Sequence, residues 1–266
     1  MKQLFPHTDK NLSKEIKEAF FEDFKSADKK MLYISLFSFL GTSLITSYSH
    51  DTYFLGIVGG GIALLISIIA YAFYKGTLIS RLLFGIVFMI YPSIMLQQQL
   101  GMIEMHFAFF YMVSFLMMYK DISSILIAAF VVTIHHIALT YLQLNNIEVM
   151  GTPLLIFGPN CSWTITLIHM VMWAFALFVY MYIIIKSSQR FIGIRVTNEK
   201  LLKQAEEVER LNRTLEKKVS LRTFELSEQK DVFQSLFNDS SDAISLIKDG
   251  VFIDCNNATL RMLKYK

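Results

Sequence analysis

Four of the six histidines in this 266-residue chain, His106, His135, His136 and His169, stand in stretches that are otherwise almost entirely apolar. The stretches are "GMIEMHF", "VVTIHHIALTY" and "TLIHM", and the first also carries Glu104. Imidazole is the commonest protein ligand for zinc, copper and iron, and a nearby carboxylate can ligate the ion or orient a ring. A lone histidine in such a setting usually does no more than hydrogen-bond a neighbouring helix. Four of them with a carboxylate point to a site, provided that the chain brings them to one place.

The composition says what must position them. With 54% hydrophobic residues and a mean hydropathy of +0.45, the chain is too apolar for a soluble domain of its length. A membrane-crossing helix needs roughly 20 mostly apolar residues. Six segments qualify, at about 31–48, 53–74, 78–97, 101–119, 121–143 and 163–186. The expected fold class is an all-α membrane protein, a six-transmembrane-helix bundle. The first apolar run begins at Met31, which argues against a cleavable signal peptide, and Cys161 and Cys255 are too few for a disulfide framework.

Charge sets the direction. Seven lysines precede the first span; Lys75 and Arg81 flank the second connection, Lys120 lies in the fourth, and Lys186 and Arg190 follow the sixth span. The connections "SYSHDTY", "QQQLGM" and "QLNNIEVMGTPLLIFGPNCS" contain no Lys or Arg. By the positive-inside rule both termini are expected in the cytoplasm of a bacterial cell, with the protein in its inner membrane. The same distribution accounts for the basic residues without nucleic acid as a partner.

That topology brings the histidines to one level. His106 lies about five residues below the outer end of the fourth span, roughly 8 Å. His135, His136 and His169 lie seven or eight residues below theirs, roughly 11 Å. Glu104 sits a short step above. Adjacent residues on a helix point about 100° apart, so His135 and His136 need not face the same ion, and Glu104 and His106 diverge by about 200°. Two chemistries stay open: a transition-metal ion (copper or iron, or zinc) held directly by side chains, or a b-type haem ligated by histidines on facing helices. Gly85, Ala128 and Ala129 give weak support for the space that haem needs.

Other candidates have ordinary explanations. Cys161 could be a soft ligand and reads better as a small buried residue. Met102 and Met105 are two of 14 methionines, mostly packing material. Gln97, Gln98 and Gln99 line a vestibule or cap a helix. "GIVGGGIAL" reads as close helix packing, since no Lys-Ser/Thr follows its glycines.

The flanking segments differ in composition. Residues 1–30 contain an amphipathic helix with Leu12, Ile16, Ala19, Phe20 and Phe24 on one face, meant for the membrane interface or for the protein's own loops. Residues 187–232 are charged and helix-favouring. Leu201, Val208, Leu211 and Leu215 follow heptad spacing, and Val219 and Leu226 resume it after a stutter, as expected of a parallel coiled-coil homodimer. In 233–266, Ile244 and Leu246 alternate into Val251 and Ile253 across Asp249-Gly250, a hairpin signal, and a helix starts near Asn256 or Asn257. Two strands alone are marginal, so this stretch is expected to open a larger domain.

"FQSLFNDSSDAISLIKDGVFIDCNNATLRMLKY" resembles the opening of a PAS domain, and "LEKKVSLRTFELSE" resembles the signalling helices that precede such domains. "GMIEMHF…YKDISSILIAAFVVTIHHIALTYLQ…CSWTITLIHM" resembles integral-membrane sensor regions of bacterial chemoreceptors, histidine kinases and cyclic-di-GMP enzymes. The resemblance covers roughly residues 80–266 and implies Glu104, His106, His135, His136 and His169 as the binding positions. Similarity to the MHYT type of sensor is lower, because "MHF" lacks its Tyr-Thr pair and its repetition. What this implies is a membrane sensor in which 31–186 binds, 187–232 transmits, and a kinase, cyclase or receptor output follows. A membrane metalloenzyme or haem electron carrier using the same histidines is the alternative. A transporter is disfavoured for want of an inverted repeat.

Overall fold

The computed structural model describes residues 4–149 and 152–264. Met1–Gln3 of the N-terminal segment, Met150–Gly151 of the last Lys-free connection and Tyr265–Lys266 of the PAS-like stretch lie outside the described residues. The chain is mostly helical and divides into two compact units, Met1–Val196 and Thr197–Lys266. Among the described residues, four helices are long and apolar enough to cross a membrane: α2 (Tyr53–Tyr74), α3 (Leu78–Gln98), α5 (Ser123–Leu144) and α6 (Trp163–Asp239). A shorter apolar segment, Ile103–Tyr119, contains α4 (Phe107–Leu116) between two 3-10 turns. Helix α1 (Lys14–Leu40) joins the N-terminal segment to the first apolar run and ends in a π-helical turn, Gly41–Ile45. Two very short strands, β1 (Glu148–Val149) and β2 (Thr152–Pro153), pair antiparallel between α5 and α6.

The amphipathic pattern of the N-terminal segment is satisfied within the protein. Ser13 caps α1 by accepting from the Ile16 amide. Ile16, Phe20, Phe24, Ala27 and Met31 recur at helical spacing and are all buried. The Phe20 ring lies 4.7 Å from that of Phe191 in α6. Of the two destinations for this face, packing against the protein itself is the one found.

Helix α3 is the centre of the first unit, with Phe84, Val87, Phe88, Met89 and Tyr91 fully enclosed. Small residues let its neighbours come close. A Cβ on Gly85 would lie 2.6 Å from the Ser124 carbonyl oxygen of α5, so Gly85 and buried Ala128 serve helix contact rather than space for haem. The glycine run of α2 behaves as expected: a Cβ on Gly56 would lie 2.6 Å from the Ser47 hydroxyl, and one on Gly60 2.8 Å from that of Thr42.

At the lysine-bearing end, polar groups replace this apolar packing. Buried Asp28, just before the apolar part of α1, accepts from the Gly76 amide (2.6 Å), the Tyr119 hydroxyl (2.7 Å) and the Ser80 hydroxyl (2.9 Å). Arg81 donates from Nε to Asp121 at 2.7 Å, and its guanidinium carbon sits 4.0 Å from the Phe24 ring centre. The other oxygen of Asp121 caps α5 through the Ser123 amide and hydroxyl. Lys120 reaches Asp23 at 2.6 Å. Asp28 thus ties α1 to the start of α3 and to Tyr119, while Arg81 and Lys120 tie α3 and α1 to the residues that lead into α5.

The second unit begins within α6. Leu201, Val208, Leu211, Leu215, Val219 and Leu226 are all exposed along it, between ion pairs such as Glu207–Arg210. Then β3 (Ser245–Lys248) and β4 (Val251–Cys255) form an antiparallel hairpin whose turn residues, Asp249 and Gly250, both have positive φ. Asn256 caps α7 (Asn257–Met262) by accepting from Thr259, and its side chain also bonds the Ile244 amide and the Asp242 carbonyl. Hairpin and helix follow the order read from the sequence.

Two predictions arise from this packing. Arg81→Met or Asp121→Leu alone strands a buried charge and is expected to cost about 3–5 kcal/mol, while the double variant costs less than either single change. Denaturant unfolding in detergent micelles checks this. The second concerns His7, half-buried against Phe5, Phe20 and Phe24, with Nδ1 enclosed and unbonded. Burial lowers its pKa below the ordinary value; Asp121 opposes this and Arg81 adds to it. As pH falls through about 6.5 the unfolded chain gains this proton first, so stability present above that pH is lost towards the folded-state value. The melting temperature should fall as pH drops from about 7 to 5, and His7→Phe should flatten that slope.

Candidate functional site

Three of the four histidines of the apolar segments meet. The turn from α3 into the next apolar segment uses positive φ at Leu100 and Gly101, and a 3-10 turn then sets His106 at the start of α4. His136 comes from the middle of α5 and His169 from the second turn of α6. The ring centre of His106 is 5.0 Å from that of His169 and 5.4 Å from that of His136; His136 and His169 are 6.5 Å apart. Near this level the Thr140 and Thr166 hydroxyls, 2.7 Å apart, link α5 to α6.

The backbone fixes how each ring is presented. Nδ1 of His106 lies 3.2 Å from the Ile103 carbonyl, that of His136 3.0 Å from Val132, and that of His169 2.9 Å from Ile165. A carbonyl oxygen can only accept, so each Nδ1 carries the proton and each neutral ring keeps its lone pair on Nε2. Metal-bound histidines are commonly oriented in the same way. Nε2 of His106 is buried and has no hydrogen-bond partner. The Trp173 indole N–H is likewise buried and unbonded. Both residues line a cavity of about 20 Å³ together with His136, His169 and Met170. That volume takes one water-sized particle.

A lid covers the cluster. Buried Phe157, from the connection between α5 and α6, stacks on His106 with ring centres 5.2 Å apart and planes 8° apart, and lies 4.8 Å from His169. Two glutamines hold the backbone of this connection. Gln143 accepts from the Ile156 and Phe157 amides and donates to the carbonyls of Phe157 and Gly158. Gln97 accepts from the Leu155 amide and donates to the Pro153 carbonyl. A Cβ on Gly101 would lie 3.0 Å from the Phe157 carbonyl carbon, so the loop also requires that glycine.

The remaining candidates stand apart. His135 is half-buried beside the cluster, facing Phe109 at 5.5 Å, and touches His136 through a long 3.5 Å Nδ1–Nδ1 contact. Glu104 is exposed. Cys161 is half-buried against the core, and burial raises its thiol pKa, which disfavours the thiolate a metal would need. Met102 is exposed and Met105 packs on the core. Gln98 and Gln99 tie the end of α3 to Thr42 and Thr46. Among the described residues, no group of three or more His, Cys, Asp and Glu side chains stands at metal-ligand spacing.

Sequence reading missed Phe157, Gln143, Met170 and Trp173. The apolar run "LLIF" at 154–157, inside a connection without charges after Glu148, is the signal that could have exposed the lid.

No family model, curated protein or solved structure matches this chain. The class that fold and site define is therefore a helical protein with membrane-length apolar helices and a cluster of three histidines, His106 and His136 buried and His169 half-buried.

Gln143→Leu keeps the side-chain volume and removes every bond to the loop. It is expected to speed amide exchange at Ile156 and Phe157 by about ten- to a hundredfold, the equivalent of about 1–3 kcal/mol of local stability. Hydrogen–deuterium exchange of the purified protein reads this directly.

Proposed function

We propose that this chain is the membrane-embedded input part of a bacterial signal-transduction protein. His106, His136 and His169 hold a metal centre in the outer leaflet, with His135 beside it and Glu104 at its rim. The centre reports metal supply, a diatomic gas or redox state. The observation that carries this reading is the meeting of three imidazoles, from the turn before α4, from α5 and from α6, with His169 on the helix that also bears the heptad positions. A ligand that binds one arrangement of these helices more tightly than another biases the output by that difference and no more.

In this reading the apolar part of α1 and the segment Ile103–Tyr119 complete six spans, with both termini in the cytoplasm. Exposed Leu201, Val208, Leu211 and Leu215 pair with a second copy in a coiled coil. The hairpin and α7 open a PAS domain that leads to a kinase, cyclase or receptor output. An enzyme or haem electron carrier fits less well. A cavity of about 20 Å³ among the three histidines leaves no space for a substrate beside an ion, and ordinary ligand pockets run from about 300 Å³.

The test uses inner-membrane vesicles and a background in which Cys161 and Cys255 are serine. Val208→Cys and Leu215→Cys should cross-link between copies, and Glu206→Cys, outside the heptad seam, should not. Adding chelator should change the Val208→Cys yield by about twofold or more, as a shift between two packings requires. His136→Gln should abolish the response. A yield indifferent to both chelator and metal would sink the sensor proposal.

A further inference from the structure

We infer that the His106–His136–His169 cluster is built for one monovalent copper ion, bound through three Nε2 atoms with the Met170 thioether beside it. This rests on the cluster being a metal centre and names the metal. Geometry, charge and ligand softness narrow the choice to it in turn.

Geometry comes first. An ion about 2.0–2.1 Å from three imidazole nitrogens holds the ring centres roughly 5–5.5 Å apart. The pairs at 5.0 and 5.4 Å already have that spacing, and only the pair at 6.5 Å is too wide. Closing it takes about 1 Å of movement between α5 and α6, within the reach of side-chain rotation and a small helix shift. Each ring enters with its tautomer already set by a backbone carbonyl and with Nε2 free to bind. The cavity takes a bare ion and cannot take a porphyrin.

Charge narrows the choice. The side chains around the cavity are histidine, aromatic, valine and methionine, with no carboxylate or thiolate among them. Nothing there neutralises a cation. The desolvation cost of an ion rises with the square of its charge, so a divalent ion is penalised roughly four times as heavily as a monovalent one. Zinc and ferrous iron usually meet this with carboxylate, thiolate or water ligands; the lining offers no carboxylate or thiolate, and the volume takes an ion or one water, not both.

Softness selects within the monovalent ions. Sodium and potassium require oxygen ligands, which the cavity wall does not offer. Cuprous copper accepts imidazole and thioether donors, and Met170 supplies a thioether on that wall.

The experiment uses the full chain in nanodiscs under anaerobic ascorbate, titrated with Cu(I) against bicinchoninate. One Cu(I) per chain should be withdrawn from the chelator, with an X-ray absorption edge of three-coordinate copper bound to nitrogen. Met170→Leu, close in volume, should weaken binding about tenfold at unchanged stoichiometry, and His136→Gln or His169→Gln by more than a hundredfold. Circular dichroism and thermal melts verify that the variants are folded. Zn(II) or Fe(II) binding as tightly at the same histidines, or a Soret band lost in the histidine variants, would overturn the copper assignment and leave a metal centre in place. So would Cu(I) binding unaltered by His136→Gln. Folded wild-type protein that retains no metal and no haem would overturn the copper assignment and the metal centre together, leaving a water molecule between Trp173 and His106.

Discussion

A polar side chain enclosed by hydrocarbon must find its partners inside the protein, because neither lipid nor water supplies them. Most of what is specific about the first unit follows from this. Apolar faces place the helices only loosely, since one leucine surface packs much like another. The buried polar groups decide which residue faces which. Asp28 draws three donors to itself, Arg81 and Asp121 join α3 to the start of α5, and Gln98 closes onto Thr42 and Ser47. The histidines obey the same constraint from the other end of the bundle. Their Nδ1 groups are answered by their own helices or turns, and the Nε2 of His106 is left unanswered.

Much of this was legible in the sequence. The length of the apolar runs marked α2, α3, α5 and the first part of α6, and Asp249-Gly250 marked the hairpin. The common level of His106, His136 and His169 followed from counting residues along antiparallel helices. The resolution of that count is about one helical turn, so it could not separate His136 from His135. Adjacent residues share a depth and differ only in azimuth, which is set by the neighbours of α5. Glu104 illustrates the same limit: nearness in sequence to His106 did not bring it into the enclosed cluster.

The features that escaped depend on contacts between distant parts of the chain. Nothing local marks Phe157 as the cover of a cluster formed by three helices, because its position is fixed by Gln97, Gln143 and the missing side chain of Gly101. The N-terminal face showed its amphipathicity plainly. Its destination depended on Phe191, about 170 residues further on, a separation that no periodicity can span.

The π-helical turn at Gly41–Ile45 has a consequence of its own. There the Thr46 amide bonds back five residues, to the Gly41 carbonyl, instead of four. Such a turn holds one residue more than the α-helical path would, and every later side chain is rotated by about 100° relative to that path. The extra residue acts as a phase shift. It sets Thr46 and Ser47, which follow it, against Gln98, while Leu44 and Ile45 within it point outward. A single-residue deletion in this turn, invisible to any count of hydrophobic residues, would rotate that hydroxyl-bearing surface out of register and leave the Gln98 amide enclosed with fewer partners. In this chain the length of a helix, to the residue, is itself a determinant of which groups meet.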